Sequence, residues 1–351
     1  MHSAFSLDRL GWSAFYAQQL SLEDLSAGYP ARVSTVQRSL VAALCERGML
    51  DVVVPPHLAT PDAAIAVGDW LLIEHEAPRV LRILERRSLI TRMAAGIEQR
   101  MQSIAANLDT MFVVTSCNDD FNPSRLERYL TVAKHAQVEP VIVLTKADVC
   151  ADAETFAAQP RSIARDIAVL ALNATARAEA DALAPWLGRG QTVAFVGSSG
   201  VGKSTLVNAL LASEVQTTSG IREHDAKGRH TTTARQMFGL PSGAWVIDTP
   251  GMRELKLGAM ESAVSAVFDD IETLARECRF RDCRHRDDAG CALQAAVATG
   301  RLDARRLDSY LKLLREAERG AQSVAERRAI ERRWGRMHRI TSRRGRGTSR
   351  E

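Results

Sequence analysis

The sequence has no run approaching the ~20 uninterrupted apolar residues that a membrane-spanning helix requires, so no membrane association is expected. Its first residues, Met-His-Ser-Ala-Phe-Ser-Leu-Asp, lack the basic segment and apolar core of a secretory leader, and a soluble, cytoplasmic protein is expected. Cysteine is sparse. Six in 351 residues do not make a disulfide scaffold, and in a reducing compartment any that cluster point to metal binding. A strong overall charge is also missing, since the formal net charge is only +4. That balance hides an asymmetry: from Glu326 to Glu351 ten arginines face three glutamates, about +7 in the tail against about −3 elsewhere. At this length two or three domains are expected, and 46% hydrophobic residues can fill their cores.

What is present is dominated by one stretch, Thr192-Val-Ala-Phe-Val-Gly197-Ser198-Ser199-Gly200-Val201-Gly202-Lys203-Ser204-Thr205. A strand-like run, Val193 to Val196, feeds a glycine-rich turn that opens a helix with Leu206, Val207, Leu210 and Leu211 at helical spacing. The spacing is G-x-x-x-x-G-K-[ST], that of a phosphate-cradling loop. Gly197 and Gly202 let backbone N–H groups crowd around phosphate oxygens, and the helix N-terminus adds donors and its positive dipole end. Lys203 is expected to reach the β- and γ-phosphates and the Ser204 hydroxyl to ligate Mg²⁺. A glycine-rich strand-to-helix turn can be plain structure, but full spacing with Lys-Ser at its end favours a nucleoside-triphosphate site.

In chain order, residues 1–28 read as a short docking segment holding Trp12, Phe15 and Tyr16. Short β-like runs follow (31–44, 49–54, 65–73, 79–84 and 88–91), separated by turn signals. Such a run of short strands predicts an OB-type (oligonucleotide-binding) β-barrel over residues 29–104. Arg79, Arg82, Arg86, Arg87, Arg92 and Arg100 bias it towards nucleic acid. From about Asn107, strands and helices alternate: strand 111–114, helix 124–135, strand 141–144, a strand-like stretch 163–172, an alanine-rich helix 176–187, then strands 193–196, 234–238 and 244–247. Alternation predicts a parallel sheet covered on both faces, an α/β domain over residues 105–258.

Motifs on this sheet select GTP over ATP. Thr145-Lys146-Ala147-Asp148 leaves a strand end as [NT]-K-x-D. The Asp148 carboxylate can accept from guanine N1–H and the exocyclic amine, a pairing adenine cannot supply. Asp248-Thr-Pro-Gly251 is a D-x-x-G signature whose aspartate faces Mg²⁺ and whose Gly251 N–H meets the γ-phosphate. Between them, Gly228-Arg-His230-Thr-Thr232-Thr233 has the polar character of a switch loop. Asn173-Ala174-Thr175 stands where a backbone contact to guanine O6 would fall. The order is permuted: the base-reading motif precedes the phosphate loop, whereas in an ordinary Ras-like GTPase it follows. Termini often lie close together, so such a permutation is physically tolerable.

Beyond the sheet, Cys278, Cys283, His285 and Cys291 are spaced C-x4-C-x-H-x5-C, which suits one structural Zn²⁺ in a mostly helical domain over residues 259–325. A helix is expected from Leu302 to Ala317 with Leu307, Leu311 and Leu314 inward. Cys45, Cys117 and Cys150 stand alone. The Arg-rich tail, residues 326–351, fits contact with RNA phosphates.

Together, the permuted order, Gly-Ser-Ser-Gly-Val-Gly-Lys-Ser, Gly-Arg-His-Thr-Thr-Thr, Asp-Thr-Pro-Gly and the cysteine–histidine spacing resemble the RsgA (YjeQ) family over roughly Ala31 to Thr299. The resemblance implies an OB barrel, a circularly permuted GTPase and a zinc domain. It also implies binding to the small (30S) ribosomal subunit and its rRNA late in assembly, with subunit-stimulated hydrolysis of GTP to GDP. A monomer is expected. The alternative is a GTP-dependent RNA-binding switch with negligible turnover. One departure matters for catalysis: the residue after D-x-x-G, where Ras-like enzymes commonly carry a water-orienting glutamine, is Met252. His230 is then the expected water-orienting group, and Thr232 the expected second Mg²⁺ ligand.

Overall fold

A computed structural model describes residues 5–37, 40–58, 64–93, 101–118, 120–163, 165–211, 235–248, 257–286 and 288–321. They divide into two compact units, Met1–Ala94 with Arg100–Leu255, and Ala95–Gln99 with Lys256–Glu351.

The first unit opens with strands β1 (Gly28–Val36), β2 (Val41–Cys45), β3 (Gly48–Val52), β4 (Trp70–Glu74) and β5 (Val80–Ile83). They are antiparallel in the order β3-β2-β1-β4-β5. A bridge from Val53 to Arg79 brings the end of β3 to the start of β5, so the strands close on themselves. Ala31, Val33, Ala43, Val52, Leu71, Ile73 and Val80 point into the enclosed core. The single run expected over 31–44 is two strands, because the chain turns back between Val36 and Val41.

A ladder of β6 (Leu89–Met93) with β7 (Met101–Ala106) leads to the α/β portion. There β8 (Thr110–Ser116), β9 (Glu139–Thr145), β10 (Val169–Ala171), β11 (Thr192–Val196), β12 (Arg235–Gly239) and β13 (Trp245–Asp248) lie in the order β10-β9-β8-β11-β13-β12. The first five of that order are mutually parallel, and β12 is antiparallel to β13. Strands β8 and β9 are buried almost end to end, as strands covered on both faces must be. On one face, Phe112, Val114, Val141, Val143, Val193 and Val246 pack with Leu183, Leu206 and Leu210. The sheet then continues: β12 pairs with β1 through Thr35 and Val36, so both strand systems share one eleven-stranded sheet.

Three further expectations need correction. The stretch 163–172 is not largely strand: the helix Ala153–Ile163 ends there and only Val169–Ala171 pairs, because only those residues reach the β9 edge. The alanine-rich segment is a four-residue helix, Arg177–Ala180, followed by a tighter 3₁₀ segment, Asp181–Trp186, that holds Pro185. In the second unit the last helix covers residues 304–321, and its buried side chains include Leu307, Tyr310, Leu313 and Ala317, with Leu311 and Leu314 only half-buried. That unit also holds helices Glu261–Val267, Asp269–Ala275 and Ala292–Ala298 around Phe268, Ile271 and Leu293.

The N-terminal segment is a strap across the first unit. Trp12 and Tyr16 pack on Trp70 of β4, with ring centroids 4.7 and 5.6 Å away. Trp245 Nε1 donates to Arg9 O at 2.6 Å, and Asp8 pairs with Arg189 at 2.6 Å. Gly11 lies so close to the loop before β11 that a Cβ there would stand 2.6 Å from Gly190 O. Arg189, Gly190 and Trp245 precede or begin β11 and β13, so the strap grips the amino-terminal edge of the parallel sheet. At its centre is Arg32, 2% exposed, donating to Leu10 O, to Asn107 O (3.2 Å) and, more weakly, to Gly68 O (3.4 Å), with its guanidinium 5.7 Å from the Trp70 ring. Burial pushes this guanidinium down to about 10, so it stays charged at neutral pH. Replacing Arg32 by Ala leaves buried carbonyls without their donor and should cost on the order of 2–4 kcal/mol. Thermal denaturation should show a midpoint lower by roughly 5–10 °C; an unshifted midpoint would mean that the strap is not a structural tie.

Candidate nucleotide and metal sites

Strands β8, β9, β10, β11 and β13 run the same way, so their carboxyl ends open on one edge. The chain leaves β8 towards β9 and leaves β11 towards β13, in opposite directions, which makes the β8/β11 boundary a topological switch point. In open parallel sheets ligands bind in the crevice there. The phosphate loop emerges at that crevice. Gly197 has φ +143° and packs on β8 so closely that a Cβ would stand 2.1 Å from Val114 O. Gly202 has φ +92°, which an L side chain rarely adopts. The helix Lys203–Leu211 follows directly. Ser199, Gly200, Ser204 and Thr205 are exposed and Val201 is buried beneath the loop. Lys203 Nζ donates to Gly197 O at 2.9 Å and to Ser198 O, curling over the loop.

The Thr145-Lys-Ala-Asp148 motif reaches the same crevice. Thr145 ends β9, is fully buried, and its hydroxyl donates to Val201 O at 2.6 Å, with Thr115 O at 3.1 Å. This bond ties the motif to the phosphate loop across β8. Lys146 adopts a left-handed conformation (φ +61°), and the turn Ala147–Val149 carries Asp148 out to the surface. Ala147 N–H donates to Leu172 O at 3.4 Å, so Asn173, Ala174 and Thr175 stand beside it. That loop is held by Glu179, whose carboxylate accepts from Asn173 N–H at 2.6 Å, a residue no motif contains. Asp248 closes β13 at the same edge and is exposed. Gly228 to Thr233, with His230 and Thr232, and Gly251 and Met252 lie outside the described residues.

In the second unit the spacing of Cys278, Cys283, His285 and Cys291 closes into a cluster, with one ligand atom from each within 4.8 Å of the others. His285 Nδ1 lies 3.6 Å from Cys278 Sγ and 3.7 Å from Cys291 Sγ. Bond lengths of ~2.3 Å to sulfur and ~2.0–2.1 Å to nitrogen in a tetrahedron put those atoms roughly 3.6 Å apart. The residues therefore fit a metal ion of zinc's size and preference. Burial lowers His285, favouring the neutral ring a ligand must have. Burial and the neighbouring Cys291 and Cys278 push the Cys283 thiol up to about 12; a divalent cation would reverse that. Ala292 N–H donates to Cys278 Sγ at 3.3 Å, and Gln294 Nε2 donates to His285 O at 2.8 Å, fixing two of the four ligating residues. Cys45, Cys117 and Cys150 take no part in this cluster.

A parallel sheet with a phosphate loop at its switch point, fed by a base-reading motif that comes earlier in the chain, is a circularly permuted GTPase fold. Its fold is similar to that of YjeQ from Thermotoga maritima, with a TM-score of 0.59 at 22% identity over 82% of this chain and 98% of that one. It is likewise similar to that of YloQ, described as a circularly permuted GTPase, with a TM-score of 0.57 at 22% identity over 83% and 95%. A family model described as RsgA GTPase matches residues 83–258. The small ribosomal subunit biogenesis GTPase RsgA 2 of Vibrio vulnificus (strain CMCP6) is 49% identical over 335 residues, 95% of each chain. The chain belongs to the RsgA GTPase family.

Replacing Thr145 by Val keeps the shape and removes the donor to Val201 O, a loss of about 1 kcal/mol. GDP affinity measured by fluorescence titration should fall roughly 3- to 10-fold. Unchanged affinity would show that the bond does not set the loop's shape.

Proposed function

We propose that this chain is a GTPase of small ribosomal subunit maturation, binding the subunit through its rRNA and hydrolysing GTP to GDP and phosphate faster when the subunit is bound. The observation that carries this reading is the Thr145–Val201 hydrogen bond, which places the base-reading motif and the phosphate loop in one crevice. Backbone N–H groups of residues 197–205 hold the phosphates, Lys203 turns from the loop carbonyls to the β- and γ-phosphates, and Thr145 to Asp148 read guanine. Mg²⁺ at Ser204 and Thr232, with Asp248 behind it, would neutralise charge on the phosphates. In the reaction the water oxygen bonds to Pγ and the bridge from Pγ to the β-phosphate oxygen breaks. The electron pair stays on GDP and the water's proton leaves with the phosphate. Gly251 N–H meets the γ-phosphate, and a neutral His230 orients the water, a task Met252 cannot perform.

The closed N-terminal strands are read as an OB-type barrel, supported by the β3-to-β5 closure. With the Arg-rich tail they supply the affinity for rRNA. Cys278, Cys283, His285 and Cys291 are read as the ligands of one structural Zn²⁺. Among the described residues no helix is long and apolar enough to cross a membrane, and we place the protein in the cytoplasm as a monomer.

Single-turnover hydrolysis with and without isolated small subunits tests the reading. The subunit should accelerate turnover, and His230→Ala should lose most of that acceleration while still binding GTP and subunit. No acceleration of the wild type would favour a binding switch with negligible turnover.

Cys283→Ala should release zinc, measured by elemental analysis, and abolish the response to subunits while GDP affinity stays within about twofold. Full metal content in that variant would remove Cys283 from the ligand set.

A further inference from the structure

The turn after β8 carries a residue that none of the motifs includes. Ser116 Oγ donates to Asn118 Oδ1 at 2.7 Å, and the same oxygen accepts from Asp120 N–H at 3.1 Å. Phe121 N–H closes the turn on Asn118 O at 2.9 Å. Asn122 then caps the helix Pro123–His135, accepting from Arg125 N–H at 3.0 Å, while Pro123 fixes the first turn. Built this way, the helix start delivers the Arg125 guanidinium to the hydroxyl of Ser198, the second residue of the phosphate loop. Asp120 Oδ1 lies 3.4 Å from the same nitrogen, and Asp120 Oδ2 is buried with no hydrogen-bond partner among the described residues. The Asp120–Arg125 ion pair keeps the guanidinium beside the loop.

The outer limb of the loop is otherwise lightly held. A Cβ at Gly200 would meet nothing within 4 Å, and Ser199 is exposed. Lys203 bonds to Gly197 O and Ser198 O, but those bonds break when its ammonium turns to phosphate. The Arg125–Ser198 contact can persist through that turn, because it uses a hydroxyl and not the carbonyls.

We propose that Arg125 is a positioning residue for the phosphate loop. Through Ser198 it holds the outer limb in shape once Lys203 has moved, and its positive charge favours the more highly charged triphosphate over the diphosphate. The proposal rests on the reading of this loop as a GTP site.

The test compares Arg125→Ala, Arg125→Lys, Ser198→Ala and the Arg125→Ala/Ser198→Ala double variant in the full chain. Labelled GDP and a non-hydrolysable GTP analogue are titrated, and thermal midpoints and the kcat and KM for GTP are measured. Arg125→Ala should bind the GTP analogue about tenfold more weakly, about 1.4 kcal/mol, and GDP only about threefold more weakly. KM should rise more than kcat falls, and the melting midpoint should stay within about 2 °C. Arg125→Lys should recover part of the analogue binding, because it keeps the charge and loses the planar fork. The double variant should bind no worse than Arg125→Ala, the signature of two residues acting as one unit. Additive losses, equal losses for both nucleotides, or a melting shift that accounts for the weaker binding would each overturn the proposal. A wild-type chain that binds no guanine nucleotide would overturn the GTP reading itself, whereas normal wild-type binding with an indifferent Arg125→Ala overturns the proposal alone.

Discussion

The pairing of β11 with β8 on one side and β13 on the other is the contact on which the nucleotide crevice depends. Val193 to Val196 register with Thr110 to Val113, and Thr192 to Ala194 with Trp245 to Ile247. Both pairings are parallel, so the three strands release their loops on one edge. The register is fixed by burial: the β11 side chains are packed on both faces, and a slip of one residue would reverse every side chain. Gly197 then seats the loop against Val114 O with no room for a Cβ. Thr145, one strand further out, bonds back to Val201 O and closes the arrangement. The glycine-rich loop 197–204 and the segment Thr145–Asp148 are thus coupled by two hydrogen-bonded ladders and one hydroxyl.

Permutation changes where the chain is cut and leaves this edge intact. An antiparallel strand such as β12 would ordinarily leave an open edge, a liability for aggregation. Here β1 covers it, through Thr35 and Val36. The sheet bearing the nucleotide loops therefore runs on into the closed N-terminal strands, and residues 5–16 strap the two together at the opposite edge. Arg32 is the cost of that strap. A guanidinium nearly excluded from solvent is held by carbonyls and an aromatic face, which suits a planar, weakly hydrated cation better than it would suit lysine.

Features whose chemistry demands fixed residue types at fixed spacing could be read from the sequence. The phosphate loop, Thr145 to Asp148, Asp248 and the cysteine–histidine cluster are of this kind. So was the helix Pro123–His135, which carries its own cap and proline. What escaped notice is decided by partners distant in the chain. The helix Ala153–Ile163 and the strand Met101–Ala106 have no strong local signature, and no element is expected at either from the sequence. The buried hydroxyl of Thr145 bonds to the loop, a pairing 56 residues apart that the motif alone does not announce. Arg125 reaches Ser198 across 73 residues, and no periodicity announces it.

The second unit shows the same logic with a shorter reach. Cys291 immediately precedes the helix Ala292–Ala298, and the first N–H of that helix donates to Cys278 Sγ. Burial and the adjacent thiols push the Cys283 thiol up, so the cluster by itself favours neutral sulfur there. A divalent cation at the cluster would reverse that, since it favours deprotonated thiols. The core around Phe268, Ile271 and Leu293 lies next to these residues in the chain, and Tyr310 bonds to Glu272 at 2.9 Å on the helix that ends just before Cys278. A metal bound there would be coupled to helix packing in this unit through the first turn of one helix and the last turn of another. A metal held there acts on the fold of its own unit and needs no open coordination position.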